Sequence, residues 1–143
     1  MRLLVAAGAD VAHATSSGTA LHWAAGEGAS RAAAALLAAG ADPDAGDADG
    51  MPPLLLAVAG GAGAVVEALL AAGARPAAAA LPVGGATILH VAAEGGDRRC
   101  LAALIGCREG RAMCGARDEE GFTPRDVAAA SGHDDVLPLF DAA

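Results

Sequence analysis

Apolar positions along the chain come in short bursts at helical spacing, separated by breaks rich in Gly, Pro and Asp. Four bursts align with one another. They are Thr19-Ala20-Leu21-His22-Trp23-Ala24-Ala25, Pro52-Pro53-Leu54-Leu55-Leu56-Ala57-Val58, Thr87-Ile88-Leu89-His90-Val91-Ala92-Ala93 and Thr123-Pro124-Arg125-Asp126-Val127-Ala128-Ala129. Their first residues lie 33, 35 and 36 positions apart. A second marker follows at a fixed offset, as Leu36-Leu37-Ala38-Ala39-Gly40-Ala41 and Leu69-Leu70-Ala71-Ala72-Gly73-Ala74. Leu3-Leu4-Val5-Ala6-Ala7-Gly8-Ala9 is the same marker without its upstream half. Doubly marked periodicity of this length signals a repeat architecture, one supersecondary unit per period.

Local chemistry turns the markers into elements. A Thr ahead of an apolar run is a helix N-cap, and Pro124 stands at the first helical position, where no donor is needed. Asp126 suits both a capping box and the positive end of a helix. Gly40 and Gly73 close the second helix in the left-handed conformation. Each repeat is thus two short antiparallel helices, about 20–27 and 30–39 in the first copy, with Leu21, Leu36 and Leu37 facing the adjacent repeat. Ala24-Ala25 and Ala92-Ala93 let neighbouring helices approach. The expected organisation is one domain over 1–143: a half repeat 1–12, then repeats over about 13–45, 46–79, 80–116 and 117–143.

These residues resemble the ankyrin repeat, whose pattern runs Gly-x-Thr-Pro-Leu-His-x-Ala-Ala, then a glycine, then Leu-Leu-x-x-Gly-Ala. The resemblance covers essentially the whole chain. It implies an all-α solenoid of stacked antiparallel helix pairs with projecting hairpin-like turns. Three departures stand out. The second copy has Pro52 in place of the capping Thr and Leu55 in place of His. Restoring Thr at 52 is expected to add about 0.5–2 kcal/mol if capping dominates, with the proline's rigidity acting the other way. The third copy lacks its Gly-Ala close and reads as an irregular loop from Gly106 to Gly121. The last copy carries Pro138 inside its second helix and looks like a terminal cap.

Composition narrows the function. Ala and Gly account for 62 of 143 residues, all nine basic residues are Arg, and Lys, Asn, Gln and Tyr are absent. That bias follows GC-rich codons and gives a single Ala no message. A net charge of −8 with two Phe and no Lys lacks the basic, aromatic surface that nucleic acid requires. No apolar run approaches the ~18 residues of a membrane span, and the apolar run at the start is too short for a signal-peptide core. A monomer that takes neither nucleic acid nor membrane is expected, intracellular and by default cytoplasmic, with the nucleus as the alternative.

Catalytic and metal chemistry find no motif. Cys100, Cys107 and Cys114 are spaced by seven, but no pair has metal-ligand spacing, Gly106, Gly110 and Gly115 interrupt any helix that would align them, and Cys100 falls at a core position. His22 and His90 occupy equivalent places, which favours hydrogen bonding within and between repeats over catalysis. His133 matches the family's Gly-His between helices. Trp23 falls at an apolar position expected in the core. No catalytic residue, metal or cofactor is expected.

Resemblance to the ankyrin family implies partner binding on the concave side, at the hairpin tips and inner helices. Transferred to this chain, the site comprises Ser16, Gly18, Glu27, Asp49, Met51, Gly84, Ala86, Glu94, Glu119, Glu120 and Phe122. Met51 and Phe122 are its apolar anchors, the rest is small or acidic, and no Arg is expected at an equivalent tip. The expected function is a non-catalytic interaction domain. Its expected ligand is a protein or peptide with basic residues around an apolar anchor. The alternative, motivated by the mid-repeat start, is a targeting or regulatory fragment of a larger enzyme such as a kinase, ubiquitin ligase or hydrolase.

Overall fold

A computed structural model of the chain describes residues 14–15, 18–47, 49–76 and 85–141. The chain divides into two compact units, Met1–Ala74 and Arg75–Ala143. The expected leading half repeat lies outside the described residues.

In the first unit, two-residue strands β1 (Ala14–Thr15) and β2 (Gly18–Thr19) pair antiparallel. Helices α1 (Ala20–Glu27) and α2 (Ser30–Ala38) form one pair, and α3 (Pro53–Ala59) and α4 (Gly63–Ala71) the next. First helix packs on first helix, α1 on α3, and second on second, α2 on α4. The core between them is small and aliphatic: Leu21, Ala24, Ala33, Leu36, Leu54, Ala57, Val65, Val66 and Leu69 are buried. Alanine pays little entropy on burial and lets the helices close up, so the composition serves the packing.

The Leu-Leu-x-x-Gly-Ala marker is a Schellman close. The Gly40 N–H donates to the Leu37 carbonyl at 3.1 Å and the Ala41 N–H to the Leu36 carbonyl at 3.0 Å. Gly40 sits at φ +97°, a conformation that costs an L side chain about 1–2 kcal/mol. Gly73 and Ala74 repeat the same two bonds to Leu70 and Leu69.

The second unit holds α5 (Ile88–Gly95), α6 (Arg98–Gly106), α7 (Arg108–Met113) and α8 (Pro124–Ala130), then a 3₁₀ turn Asp134–Val136 leading into α9 (Leu137–Asp141). Helix α5 packs on α8, and α6 on α7 and α9. Among the described residues, β1 and β2 form the only sheet.

One expectation is corrected here. The segment after Gly106 is not all loop, because α7 occupies Arg108–Met113. Cys107 makes this possible: its thiol donates to the Leu104 carbonyl at 2.9 Å and its sulfur accepts the Gly110 N–H at 3.3 Å. Gly110 belongs inside the helix because a Cβ there would run into the Leu104 carbonyl. Pro138 lies inside the second helix of the last copy, as expected. It is the second residue of the short α9, where its missing N–H costs nothing.

Candidate functional site

The first helices share one pattern of exposure. On α1, Leu21, His22, Ala24 and Ala25 are buried, while Trp23, Gly26 and Glu27 face solvent. Residues three and four apart lie on one side of a helix, so these three make a single face opposite the core. Counting on by 33, 35 and 36 from Trp23 gives Leu56, Val91 and Val127, all half-buried. The same steps from Gly26 give Ala59, Glu94 and Ala130, and from Glu27 give Gly60, Gly95 and Ser131, all exposed. The face is therefore built of one apolar position and two small or acidic ones per repeat.

Trp23 is not a core residue. It is 55% exposed, because the helical register that buries His22 and Ala24 turns the position between them outward. The resemblance of its surroundings to an apolar site concealed this.

Before α3 and α8 comes a tip held by its own backbone and by an Asp carboxylate. Asp47 Oδ1 accepts the N–H groups of Asp49 and Met51, both at 2.9 Å. The Asp47 N–H donates to the Met51 carbonyl at 3.0 Å and the Gly50 N–H to the Asp47 carbonyl at 2.9 Å. Asp118 repeats this, accepting from Glu120 at 3.0 Å and from Phe122 at 2.9 Å. The Asp118 N–H donates to the Phe122 carbonyl and the Gly121 N–H to the Asp118 carbonyl, each at 3.0 Å. Hydrogen bonds from the backbone, that of Met51 first, hold the Asp47 carboxyl below its ordinary acidity range. The signal for these turns is an Asp three residues before the tip Gly in the second and fourth copies, which sequence reasoning passed over.

The histidines join helix start to tip. His22 Nδ1 accepts the Thr19 N–H at 3.1 Å, and its Nε2 lies 2.8 Å from the Met51 carbonyl. A backbone amide can only donate, so Nδ1 holds the lone pair and Nε2 carries the proton given to Met51. His90 does the same, with Nδ1 3.0 Å from the Thr87 nitrogen and Nε2 2.8 Å from the Phe122 carbonyl. Bonding within and between repeats is thus the role of both rings. His133 links Glu94 in the third repeat, with Nε2 3.1 Å from its carbonyl, and its ring lies where a Cβ on Gly96 would sit.

The fourth first helix uses a carboxylate instead. Asp126 Oδ2 accepts the Thr123 N–H at 3.0 Å while Thr123 Oγ1 accepts the Asp126 N–H at 3.3 Å. The Thr123 backbone N–H first, and the Thr123 hydroxyl after it, depress the Asp126 carboxyl below its usual range.

Of the sequence-derived site, Glu27, Asp49, Glu94, Glu119, Glu120 and Phe122 are exposed, whereas Met51 and Ala86 are half-buried. Gly18 is in β2. Ser16 and Gly84 lie outside the described residues. One further correction concerns charge: Arg117 stands at the fourth tip, its Nη1 donating to the Gly121 carbonyl at 2.7 Å. Cys100 is buried in α6, and Cys107 and Cys114 are half-buried free thiols. Burial pushes the Cys114 thiol above its usual range. Among the described residues no cluster of His, Cys, Asp and Glu is placed to hold a metal ion, and no helix is long and apolar enough to cross a membrane.

Paired short helices, glycine-closed, with tips tethered by histidine to the preceding helix start, define a helix-pair repeat protein. The family model for ankyrin repeats (3 copies) matches residues 1–80, and the chain belongs to the ankyrin repeat family. No curated protein matches the chain in sequence. Ankyrin repeats generally mediate protein–protein interaction and are typically non-catalytic.

Proposed function

We propose that this chain is a non-catalytic interaction domain that binds a protein or peptide on its tips and on the exposed face of its first helices. The observation that carries this is the tethering of the tips. The carbonyls of Met51 and Phe122 are each fixed by a buried imidazole and an Asp turn. Backbone fixed in this way loses little freedom on binding, and apolar anchors carried on it are where affinity concentrates. Phe122 is 45% exposed.

The site we propose comprises Ser16, Gly18, Glu27, Asp49, Met51, Gly84, Ala86, Glu94, Glu119, Glu120 and Phe122. Its carboxylates favour a partner with basic residues around an apolar anchor and disfavour nucleic acid and anionic membranes. We further propose that the repeats over 1–143 act as one monomeric, intracellular domain.

The test uses a partner captured by the full chain and identified by mass spectrometry. Phe122→Ala should weaken its binding by more than ~1 kcal/mol, mostly through faster dissociation. Charge reversal at Glu119 and Glu120 should slow association and flatten its salt dependence. Unchanged affinity in Phe122→Ala would place the binding face elsewhere.

A further inference from the structure

We propose that the first-helix face of the N-terminal unit is a receptor for an arginine side chain of the partner, its guanidinium stacked on Trp23 and paired with Glu27. This rests on the reading that the first-helix faces bind a partner. Trp23 is the single Trp of the chain, and it stands out at 55% exposure where Leu56, Val91 and Val127 are half-buried aliphatics. Glu27 follows one turn later on the same helix and is exposed, which puts the two Cβ atoms roughly 5–6 Å apart.

Beside this pair the surface is bare. Gly26, Ala59 and Gly60 are all exposed and carry at most a methyl group. A Cβ added at Gly26 would meet nothing within 4 Å, and one at Gly60 would lie 3.7 Å from the Gly26 carbonyl. Thus α1 and α3 present a smooth strip, with Trp23 rising from one end and half-buried Leu56 next in register. An extended aliphatic stem can lie on such a strip while its charged end reaches the ring and carboxylate.

Charge selects what lies there. The described residues of this unit hold six carboxylates, on Glu27, Asp42, Asp44, Asp47, Asp49 and Glu67, against one guanidinium, on Arg31. Seven of the nine Arg residues belong to the second unit. A cation over an indole face is attracted by the ring quadrupole, and a planar guanidinium both stacks and pairs with a carboxylate. Lysine supplies the charge and its attraction to the ring face, but neither the planar stacking nor the forked pairing with the carboxylate. The occupant is therefore an Arg-bearing peptide segment with an apolar neighbour for the strip.

A random-peptide phage library panned on the full chain tests this. Enriched peptides should share an Arg beside an apolar residue. Replacing that Arg by citrulline should cost about tenfold in affinity and by Lys about threefold. Saturation should change the emission of Trp23, the sole indole. Trp23→Ala and Trp23→Leu should each lose about tenfold, the second because it keeps apolar area but removes the π face, and Glu27→Gln about threefold. Both side chains are exposed, so the variants should melt with the wild type. Enrichment without Arg, or affinity indifferent to Trp23→Leu, overturns the proposal. Enriched peptides that need Phe122 but not Trp23 overturn it while leaving the broader binding reading intact, and no enrichment over blank support overturns both.

Discussion

A buried imidazole at 22 or 90 satisfies groups on two repeats at once, and that makes each ring costly to lose. Within each unit it ties the start of a first helix to the next tip, and among the described residues no buried side-chain nitrogen or oxygen lacks a partner. His22→Ala leaves the Thr19 N–H without its acceptor and the Met51 carbonyl with only the Asp47 N–H, so we expect a loss of about 1–3 kcal/mol in denaturant unfolding. A loss below about 0.5 kcal/mol, the level of an ordinary surface change, would remove the ring from the account. Carboxylates at 47 and 126 contribute to the acid dependence. Their folded acidity lies below the ordinary aspartate value of 3.8, so they bind fewer protons folded than unfolded near that value. Their stabilisation is complete above 3.8 and is lost as pH falls through the depressed value. Asp47→Asn keeps an oxygen acceptor for the turn but removes the titration. The melting temperature of the Asp47→Asn, Asp126→Asn double variant should therefore fall less steeply than wild type below pH 3.8, and parallel curves would contradict this.

Elements were legible where a rule is local. The Thr-cap and Gly-Ala markers gave α1 at Ala20–Glu27 and the Schellman closes at Gly40 and Gly73. Helix α7 was not, because three glycines read as breaks and only the sulfur of Cys107 and the carbonyl of Leu104 show why Gly110 fits. The second copy carries a pairing that single positions hide. Thr19 and Thr87 each offer a backbone N–H to the histidine three residues on. Pro52 offers none and Leu55 could accept none, so donor and acceptor are missing together. Pro52→Thr alone would then bury an amide facing Leu55, which reverses the gain expected from capping. We expect it to destabilise the chain by about 1 kcal/mol. Adding Leu55→His should recover part of that, a favourable coupling of about 0.5 kcal/mol or more in a double-mutant cycle. Additive effects would mean that cap and acceptor are independent.

Across the whole molecule, the period of about one helix pair was readable because each repeat obeys the same local rules, and the family match over residues 1–80 agrees. The placement of Trp23 was not, because the sequence pattern marks an apolar position without saying which side of the helix it takes. Charge was legible only as a sum. The net −8 conceals a nearly Arg-free first unit and a second that interleaves seven Arg with ten carboxylates, including Arg117 at the fourth tip. The proposed function requires that partners meet tips and first helices, not second helices. Amide hydrogen exchange of the full chain with and without its captured partner reads this directly. New protection is expected in the tips at 49–51 and 119–122 and along the exposed first-helix positions of one or both units. Protection confined to the second helices, Ser30–Ala38, Gly63–Ala71 and Arg98–Gly106, would contradict it.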